Sequence, residues 1–331
     1  MSALRIRRAR PEDGESIAAM CAALARHQGD GPCEFTPARF RADGFGPARR
    51  FDCLIAEQEG AERDRAPVGY ALTYPEYNTD VMQRSAYLVD LYIEPAARRG
   101  GVGRALLAAS ARAAAAEGAT MLSWSVKRVN DGARAFYRAF ASEQPELFYG
   151  VASGERLDRL ASIEPSAAVA LRTAERHDVP IIARFIAELL LATDGKPPAD
   201  IEGPLARHGF AGDPAFAAIL AEDREGPLGH ALFWRTYDTE HAERGAFLSD
   251  LYVVPRARRR GVGLALLGGF ARWTKAAGGS YGFWQILETN APAIVFYAPI
   301  AVEDRTVLPC TLEGERFRAL AAEALGIESD G

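Results

Sequence analysis

Two short arginine- and glycine-rich segments have the residue types and spacing needed to bind a phosphate. Residues 98–103 are Arg-Arg-Gly-Gly-Val-Gly, and residues 258–263 are Arg-Arg-Arg-Gly-Val-Gly. Each follows a strand-like run that ends in proline, at Pro95 or Pro255, and each leads directly into a helix-like run. The first backbone N–H groups of a helix have no partner inside it, and glycine lets the backbone approach an anion closely. Because the arginines add positive charge beside these donors, each segment is predicted to hold the phosphates of a ligand.

The two segments belong to a repeat that covers most of the chain. A shift of 160 residues places Gly101 on Gly261, and nearer the N-terminus a shift of 165 places Asp13 on Asp178. A period of this length indicates two homologous domains rather than a stack of short units. We therefore predict an N-terminal domain, a linker and a C-terminal domain, over residues 1–161, 162–168 and 169–331.

Composition narrows the possible functions. The chain has 331 residues, of which 48% are hydrophobic and 25% charged, as in an ordinary globular protein with two cores. A net charge of −5 argues against nucleic acid as a partner and permits a cationic small substrate. No apolar run is long enough for a membrane span, and the first residues have no signal-peptide pattern, so a cytoplasmic location without membrane attachment is expected. Cys21, Cys33, Cys53 and Cys310 have no metal-ligand spacing and are interpreted as buried or unreactive thiols. The five histidines form no repeated pair, so a metal or triad site built on histidine is not expected.

Hydrophobic patterning in each half predicts strands alternating with helices. Thr36 followed by Pro37 has the pattern of a helix start. In the first half we predict strands over 4–9, 51–58, 68–74, 86–93 and 121–126, a last strand near 150, and a loop over 59–67. Helices are predicted over 14–26 and 131–140, a third helix begins at residue 37, and a fourth follows the phosphate loop and ends at residue 116.

Two motifs in each half resemble those of the GNAT (general N-acetyltransferase) superfamily. The first is Arg-x-x-Gly-x-Gly, over residues 98–103 and 258–263, and the second is Asn-x-x-Ala-x-x-Phe-Tyr, over residues 130–137 and 290–297. The resemblance implies an α/β (α+β) protein with two tandem GNAT domains. Each would have a mixed, mostly antiparallel central sheet flanked by helices, and the two would be arranged as a pseudo-dimer.

The resemblance also implies acetyl-CoA as the cosubstrate and no metal. The pantetheine arm would pair with the strand before the loop, by β-augmentation, and the pyrophosphate would bind at the loop and the start of the helix. In the first half, these positions are Leu91, Tyr92, Ile93, Arg98, Arg99, Gly100, Gly101, Val102, Gly103, Arg104 and, at the far end of the arm, Asn130. In the second half, they are Leu251, Tyr252, Val253, Arg258, Arg259, Arg260, Gly261, Val262, Gly263, Leu264 and Asn290.

The catalytic residues implied by the resemblance are Tyr137 and Tyr297, which would donate a proton to the departing thiolate. A phenol keeps its proton at neutral pH, which fits a general acid, although a tyrosine at the end of an amphipathic helix can also be a core residue. Asp90 and Asp250 could orient the amine, act as bases through water, or only cap or pair at a strand start. The loop before each of these strands carries further acids, namely Asp80, Asp238 and Glu240, which could contact the acceptor or could belong only to a solvated loop. Trp124 and Trp284 are interpreted as core residues.

Within the superfamily, the halves are most similar to diamine, spermidine and thialysine N-acetyltransferases. Residues 43–46, Asp-Gly-Phe-Gly, resemble a segment of those enzymes, as do the strands over 87–93 and 247–253. The glutamate of that strand, which helps to hold or deprotonate the amine, is replaced here by Val89 and Ser249. A tryptophan of the preceding loop is also missing, so the resemblance implies acetyl-CoA chemistry more firmly than polyamine specificity.

The sequence therefore predicts an acetyl-CoA-dependent N-acetyltransferase that acts directly on a small primary amine, of polyamine, lysine-analogue or aminoglycoside type. Two alternatives stay open: a protein or peptide N-acetyltransferase, and a regulatory acetyl-CoA-binding module in which one or both domains are inactive. The chain would be a monomer acting as a pseudo-dimer, or a homodimer. The sequence does not indicate which half turns over.

Overall fold

The computed structural model describes residues 4–59 and 65–323. The first half contains seven strands and five helices among these residues. The strands are β1 (Leu4–Arg8), β2 (Asp52–Glu59), β3 (Arg65–Asn78), β4 (Gln83–Ile93), β5 (Met121–Lys127), β6 (Ser142–Glu143) and β7 (Leu147–Ser153). The helices are α1 (Gly14–Gln28), α2 (Pro37–Gly44), α3 (Val102–Ala116), α4 (Asp131–Tyr137) and α5 (Glu155–Ala161).

The second half repeats this order of elements. Its strands are β8 (Ala170–Thr173), β9 (Ala217–Asp223), β10 (Gly226–Asp238), β11 (Glu243–Val253), β12 (Tyr281–Leu287), β13 (Val302–Asp304) and β14 (Val307–Glu313). Its helices are α6 (Val179–Ala192), α7 (Glu202–Gly209), α8 (Val262–Ala276), α9 (Ala291–Tyr297) and α10 (Gly314–Ala321).

The strands form two mixed, mostly antiparallel seven-stranded sheets, and the two halves exchange their last long strands. The first sheet has the order β1-β2-β3-β4-β5-β14-β6, and the second has the order β13-β7-β12-β11-β10-β9-β8. The strand β14 pairs with β5, with Val307 opposite Lys127, whereas β7 pairs with β12, with Leu147 opposite Leu287. These registers are identical after the shift of 160 residues. The tandem domains are thus joined as a pseudo-dimer by a reciprocal exchange.

Helices cover both faces of each sheet, and the exchange extends to one helix from each half. The face of the first sheet covered by α3 also packs against α10 from the second half, while α1 and α2 cover the opposite face. In the second sheet, α8 packs against α5 from the first half, and α6 lies on the opposite face. Trp124 and Trp284 are each 2% exposed, which confirms their interpretation as core residues.

Local sequence accounts for several of these elements. The Thr36 hydroxyl accepts from the Arg39 backbone N–H at 3.2 Å, which confirms the predicted start of α2. The repeated Gly69 and Gly229 lie where β3 and β10 approach the next strand closely. A Cβ atom at Gly229 would lie 2.2 Å from the carbonyl oxygen of Tyr252, so only glycine fits without a backbone shift.

The element boundaries differ from the predicted ones in a few places. The strand predicted over 68–74 is twice as long, at Arg65–Asn78, and the helix predicted over 131–140 ends at Tyr137. Long strands extend beyond the core into polar turns, where hydrophobic patterning gives no signal. Residues 60–64 of the predicted loop over 59–67 lie outside the described residues.

Candidate active site

Each sheet opens beside a bulged strand that precedes the arginine-glycine loop. Between β3 and β4, Leu72 is opposite Asp90 and Thr73 is opposite Leu88, so Val89 is an extra residue that forms a β-bulge. Ser249 has the same place between β10 and β11. The parallel register of β4 with β5 covers only Ala86↔Leu122 and Tyr87↔Ser123, and that of β11 with β12 ends at Phe247↔Phe283. Beyond these pairs, the strands diverge and leave an edge of β4 and of β11 open.

The loops that follow these strands have the backbone shape of an anion site. Gly101 and Gly261 precede α3 and α8 in the left-handed conformation, with φ of +86° and +78°. Arg99 and Arg259 also have positive φ, at +64° and +58°. In α3, the first intrahelical bond is donated by the Ala105 N–H to the Gly101 carbonyl, so the preceding amides point out of the helix end.

The first arginine of each loop binds the protein itself. The Arg98 Nε donates to the Ile93 carbonyl oxygen at 2.9 Å, and the Arg258 Nε donates to the Val253 carbonyl oxygen at 3.0 Å. These bonds tie the loop to the end of the bulged strand. The side chain of Arg104 pairs with Glu323. These side chains are already engaged within the protein, whereas the backbone amides of the loop are placed by its geometry to bind an anion.

The asparagines and tyrosines of the second motif lie at opposite ends of α4 and α9. The side-chain oxygens of Asn130 and Asn290 accept from the N–H groups of Ala133 and Ala293 at 3.0 and 3.1 Å and so cap the two helices. Tyr137 and Tyr297 are half-buried, and each ring centroid lies 4.8 Å from that of a core tryptophan. Burial raises the pKa of both phenols above the ordinary value, so both keep their protons at neutral pH.

Asp90 is held by one residue from each half. It is 7% exposed, and the Tyr70 hydroxyl donates to its Oδ2 at 2.8 Å. The Thr239 hydroxyl, from the turn between β10 and β11, also hydrogen-bonds this carboxylate. Burial raises the pKa of Asp90 to about 6, and the nearby Asp238 and Glu240 add to this effect.

Asp250 has a matching contact to the first half but a different buried neighbour. The Thr79 hydroxyl, from the turn between β3 and β4, donates to its Oδ1 at 2.9 Å, and Ser249 donates to the same oxygen at 3.2 Å. The position of Tyr70 is occupied in this half by His230, whose Nε2 lies 3.8 Å from the Asp250 Oδ2. Each turn thus completes the site of the opposite half. The acids predicted to contact the acceptor follow this exchange, since Asp80 approaches Asp250 while Asp238 and Glu240 approach Asp90.

A cavity of about 640 Å³ lies at the open side of the second sheet and continues between the two halves. Asp250, Leu251, Asn290 and Tyr297 line it, together with residues 76–81 of the first half. Its acidic lining residues are Glu76, Asp80, Glu146, Asp250 and Glu313. Among the residues that the structure describes, none that lines the cavity is Arg, Lys or His. An acidic surface of this kind favours a ligand with positive charge.

Glu76 is one of three acidic residues of this cavity that sequence reasoning missed, the others being Glu146 and Glu313. It lies on β3, accepts a hydrogen bond from the Ser123 hydroxyl, and lines the cavity beside Tyr87 and Tyr149. Burial raises the pKa of Glu76 from its ordinary 4.5 to about 7. The repeat carries Thr236 at this position, so no recurring pattern marked the residue.

Replacing Glu76 by Gln is expected to remove part of the pH dependence of stability. Between about pH 4.5 and 7 the folded protein keeps the Glu76 proton that the unfolded chain has lost, so the free energy of unfolding falls as pH rises. Glu76→Gln should therefore be more stable than the wild type at pH 8 but not at pH 4, by on the order of 1–3 kcal/mol. Urea denaturation at both pH values measures this difference. Glu146→Gln, at an exposed position of the same cavity, is the matched control, and an equal gain there would contradict the assignment.

Each sheet opens beside a bulged strand, and a glycine in the left-handed conformation precedes the next helix. The buried aspartate of each half is hydrogen-bonded by a threonine of the other half. This fold and site are those of an N-acetyltransferase with two tandem domains. The sequence profile of the Acetyltransferase (GNAT) family matches residues 20–141 and 184–299. The chain therefore belongs to the GNAT family.

Known relatives are similar to part or all of the chain. Thialysine N-epsilon-acetyltransferase from Mus musculus is 34% identical over 143 residues, covering 39% of this chain and 81% of the relative. The enzyme of that name from Bos taurus is 30% identical, covering 43% of this chain and 86% of its own length. A GCN5-related N-acetyltransferase structure from Sphaerobacter thermophilus has a TM-score of 0.51 at 15% identity and covers 94% of this chain and 95% of its own. A tandem GNAT protein from the clavulanic acid biosynthesis pathway has a TM-score of 0.49 at 18% identity, covering 94% and 98%.

Two further features concern only the residues at 4–59 and 65–323. No helix in these ranges has the length and apolar character needed to cross a membrane. These ranges also contain no group of three or more His, Cys, Asp or Glu side chains arranged to hold a metal ion.

Proposed function

We propose that the chain transfers the acetyl group of acetyl-CoA to a small primary amine that carries a second positive charge, in the cavity of the second half. The observation that carries this proposal is the acidic cavity with Asp250, Asn290 and Tyr297 on its wall. Asp90, Asn130 and Tyr137 of the first half are not among the described residues that line it.

The residues present fit acetyl-CoA. The open edge of β11 after the bulge offers the backbone groups of Leu251, Tyr252 and Val253 to an extended arm. The amides over residues 259–264, at the positive end of α8, suit a pyrophosphate. When bound, acetyl-CoA supplies the acetyl group as a thioester.

The amine would be held by acids and aromatic rings. Asp250 is fixed by Thr79 and Ser249 and can accept from the reacting nitrogen. Glu76 lines the same cavity and can pair with a second ammonium group, whose charge offsets the cost of burying this carboxylate. The rings of Tyr87, Tyr149 and Phe283 line the same space and favour a cation at their faces.

Tyr297 is the proton donor in this proposal. Its phenol lines the cavity, and burial keeps the pKa above the ordinary value, so the hydroxyl holds a proton for the departing sulfur. Asp80 lies on the turn of the first half that reaches this site and would attract the cation at the cavity mouth.

The test is release of CoA thiol from acetyl-CoA with a matched set of acceptors. We expect kcat/KM for a diamine to exceed that for a neutral-tailed monoamine of equal length by about tenfold or more, since a charged hydrogen bond contributes about 1.5–3 kcal/mol. Glu76→Gln should narrow this gap by raising KM for the diamine alone, whereas Glu155→Gln, at an exposed position outside the cavity, should leave the gap unchanged.

The two remaining alternatives predict different results in the same assay. Acetylation of an N-terminal peptide, with no small amine active, would favour a protein-directed enzyme. Binding of acetyl-CoA by calorimetry without release of CoA thiol for any acceptor would favour a regulatory module. Equal kcat/KM for the two matched amines would contradict the role given to the acidic cavity.

A further inference from the structure

Two cysteines of the first half lie side by side near its buried Asp90, although their spacing in sequence forms no motif. Cys21 is buried in α1, and Cys33 is half-buried in the loop before α2. Their Sγ atoms are 3.2 Å apart, and either thiol can donate to the other. A disulfide needs a separation of about 2 Å, so the two sulfur atoms must approach each other by roughly 1 Å to be joined.

Both thiols face the turn that the second half contributes to this site. The Sγ atoms of Cys21 and Cys33 lie 3.8 and 3.7 Å from the Thr239 carbonyl oxygen. The hydroxyl of Thr239 hydrogen-bonds Asp90, the buried acid of the first half. The Glu34 N–H donates to a carbonyl of the same turn at 2.8 Å, which keeps the Cys33 loop against it. Thr239 is thus the single residue that lies between the two thiols and the Asp90 carboxylate.

The cysteines differ in their readiness to lose a proton. The hydrogen bond from Cys21 lowers the pKa of Cys33 below its ordinary value, against burial and the nearby charges of Asp90 and Glu240. Burial raises the pKa of Cys310 to about 12 and also raises that of Cys53. Cys33 is therefore the thiol that loses its proton most readily.

The second half lacks this pair. The shift of 165 residues that aligns the N-terminal segments places Ile186 at the position of Cys21 and Pro198 at that of Cys33. The shared fold therefore does not require two thiols at these positions, and any role they have is specific to the first half.

We infer that Cys21 and Cys33 form a thiol–disulfide exchange site that reacts with low-molecular-weight disulfides. The Cys33 thiolate attacks one sulfur of the small disulfide, which gives a mixed disulfide and releases one thiolate that takes up a proton. Cys21 then loses its proton to solvent and attacks the Cys33 sulfur, which forms the Cys21–Cys33 bond and releases the second thiol. Two electrons pass from the protein dithiol to the small disulfide. The Thr239 carbonyl thereby loses both S–H neighbours, and α1 becomes covalently tied to the loop that contains Cys33.

The test uses the full-length protein with oxidised glutathione near neutral pH, followed by thiol titration and mass mapping. The wild type should lose two of its four thiols and become lighter by two hydrogen atoms, with Cys21 and Cys33 in one cross-linked peptide. Cys21→Ser should stop at glutathionylated Cys33, because no second thiol can displace glutathione. Cys33→Ser should keep its three thiols, and Cys53→Ser should form the disulfide as the wild type does.

Three results would each overturn the inference. The folded wild type could keep its four thiols, its end product could be a mixed disulfide, or the disulfide could include Cys53 or Cys310. Circular dichroism verifies that each serine variant is folded, and the wild-type mapping decides the matter even where a variant is not. Since none of these readouts depends on acetyl transfer, failure here is distinguishable from failure of the proposed function.

Discussion

Tyr297→Phe is expected to lower kcat for CoA-thiol release by about 10²–10⁴-fold, which is the usual contribution of a positioned general acid. The substitution removes the phenolic O–H but keeps the ring that packs 4.8 Å from Trp284, so the helix α9 should remain in place. Because burial raises the pKa of Tyr297, the wild-type rate should not fall through loss of this proton anywhere near neutral pH. Steady-state kinetics with the best diamine acceptor measure the change in kcat, and calorimetry with acetyl-CoA should give an unchanged affinity.

Tyr137→Phe is the matched control, because Tyr137 has the same motif position and packs 4.8 Å from Trp124. We expect this variant to keep most of the activity, since Tyr137 does not line the acidic cavity. A large loss in Tyr137→Phe alone would assign turnover to the first half. Similar partial losses in both variants would mean that both halves are productive, and unchanged kcat in both would exclude the phenols as acids.

The repeated motifs predicted much of the fold and part of the site. Glycine at positions 101 and 261 and proline after Thr36 act through backbone conformation, which depends on a few neighbouring residues and can therefore be recognised in sequence. The alternating strands and the buried Trp124 can also be recognised in sequence. The tandem arrangement also followed from sequence, because a duplication leaves a constant shift between equivalent residues.

The features that sequence did not predict arise from contacts between distant segments. The bond from Thr79 to Asp250 and that from Thr239 to Asp90 join residues of opposite halves, and no local pattern encodes them. Glu76 looks like an ordinary polar residue of a strand, and its raised pKa results from burial between two sheets. The proximity of Cys21 and Cys33 is likewise not visible in sequence, because only the folded chain brings their sulfur atoms together.

The exchange of β7 and β14 was hidden for a related reason. These strands are equivalent in the repeat, and each could pair with the neighbouring strand of either half in the same register. Periodicity describes which face of a strand is buried, and it says nothing about which of two similar sheets the strand joins. The choice is made by the chain connection and by the packing of α5 on α8 and of α10 on α3.

This equivalence leads to a second large expected effect, on assembly. Residues 1–161, which we propose as one domain, should form a homodimer when produced alone. Without the second half, β5 loses its neighbour β14, and β7 loses its neighbour β12. In a dimer, β7 of each copy can take the place of β14 beside β5 of the other copy, and α5 can take the place of α10 on α3. Exchange of identical elements between copies is an accessible route to dimers when the intact chain already exchanges equivalent ones.

Light scattering coupled to size exclusion tests this expectation. The isolated half should have a mass near the 35.8 kDa of the full chain, which contains two such units, while the full chain should remain a monomer at the same concentration because its own halves satisfy the exchange. A proline in β7 at Phe148, which is fully buried, should prevent the strand from pairing and abolish the dimer of the isolated half. A folded, monomeric half would mean that β7 can fold back onto its own sheet. The exchange in the full chain would then result from the connection between the two halves, and β7 would not need a strand from another half or copy in order to pair.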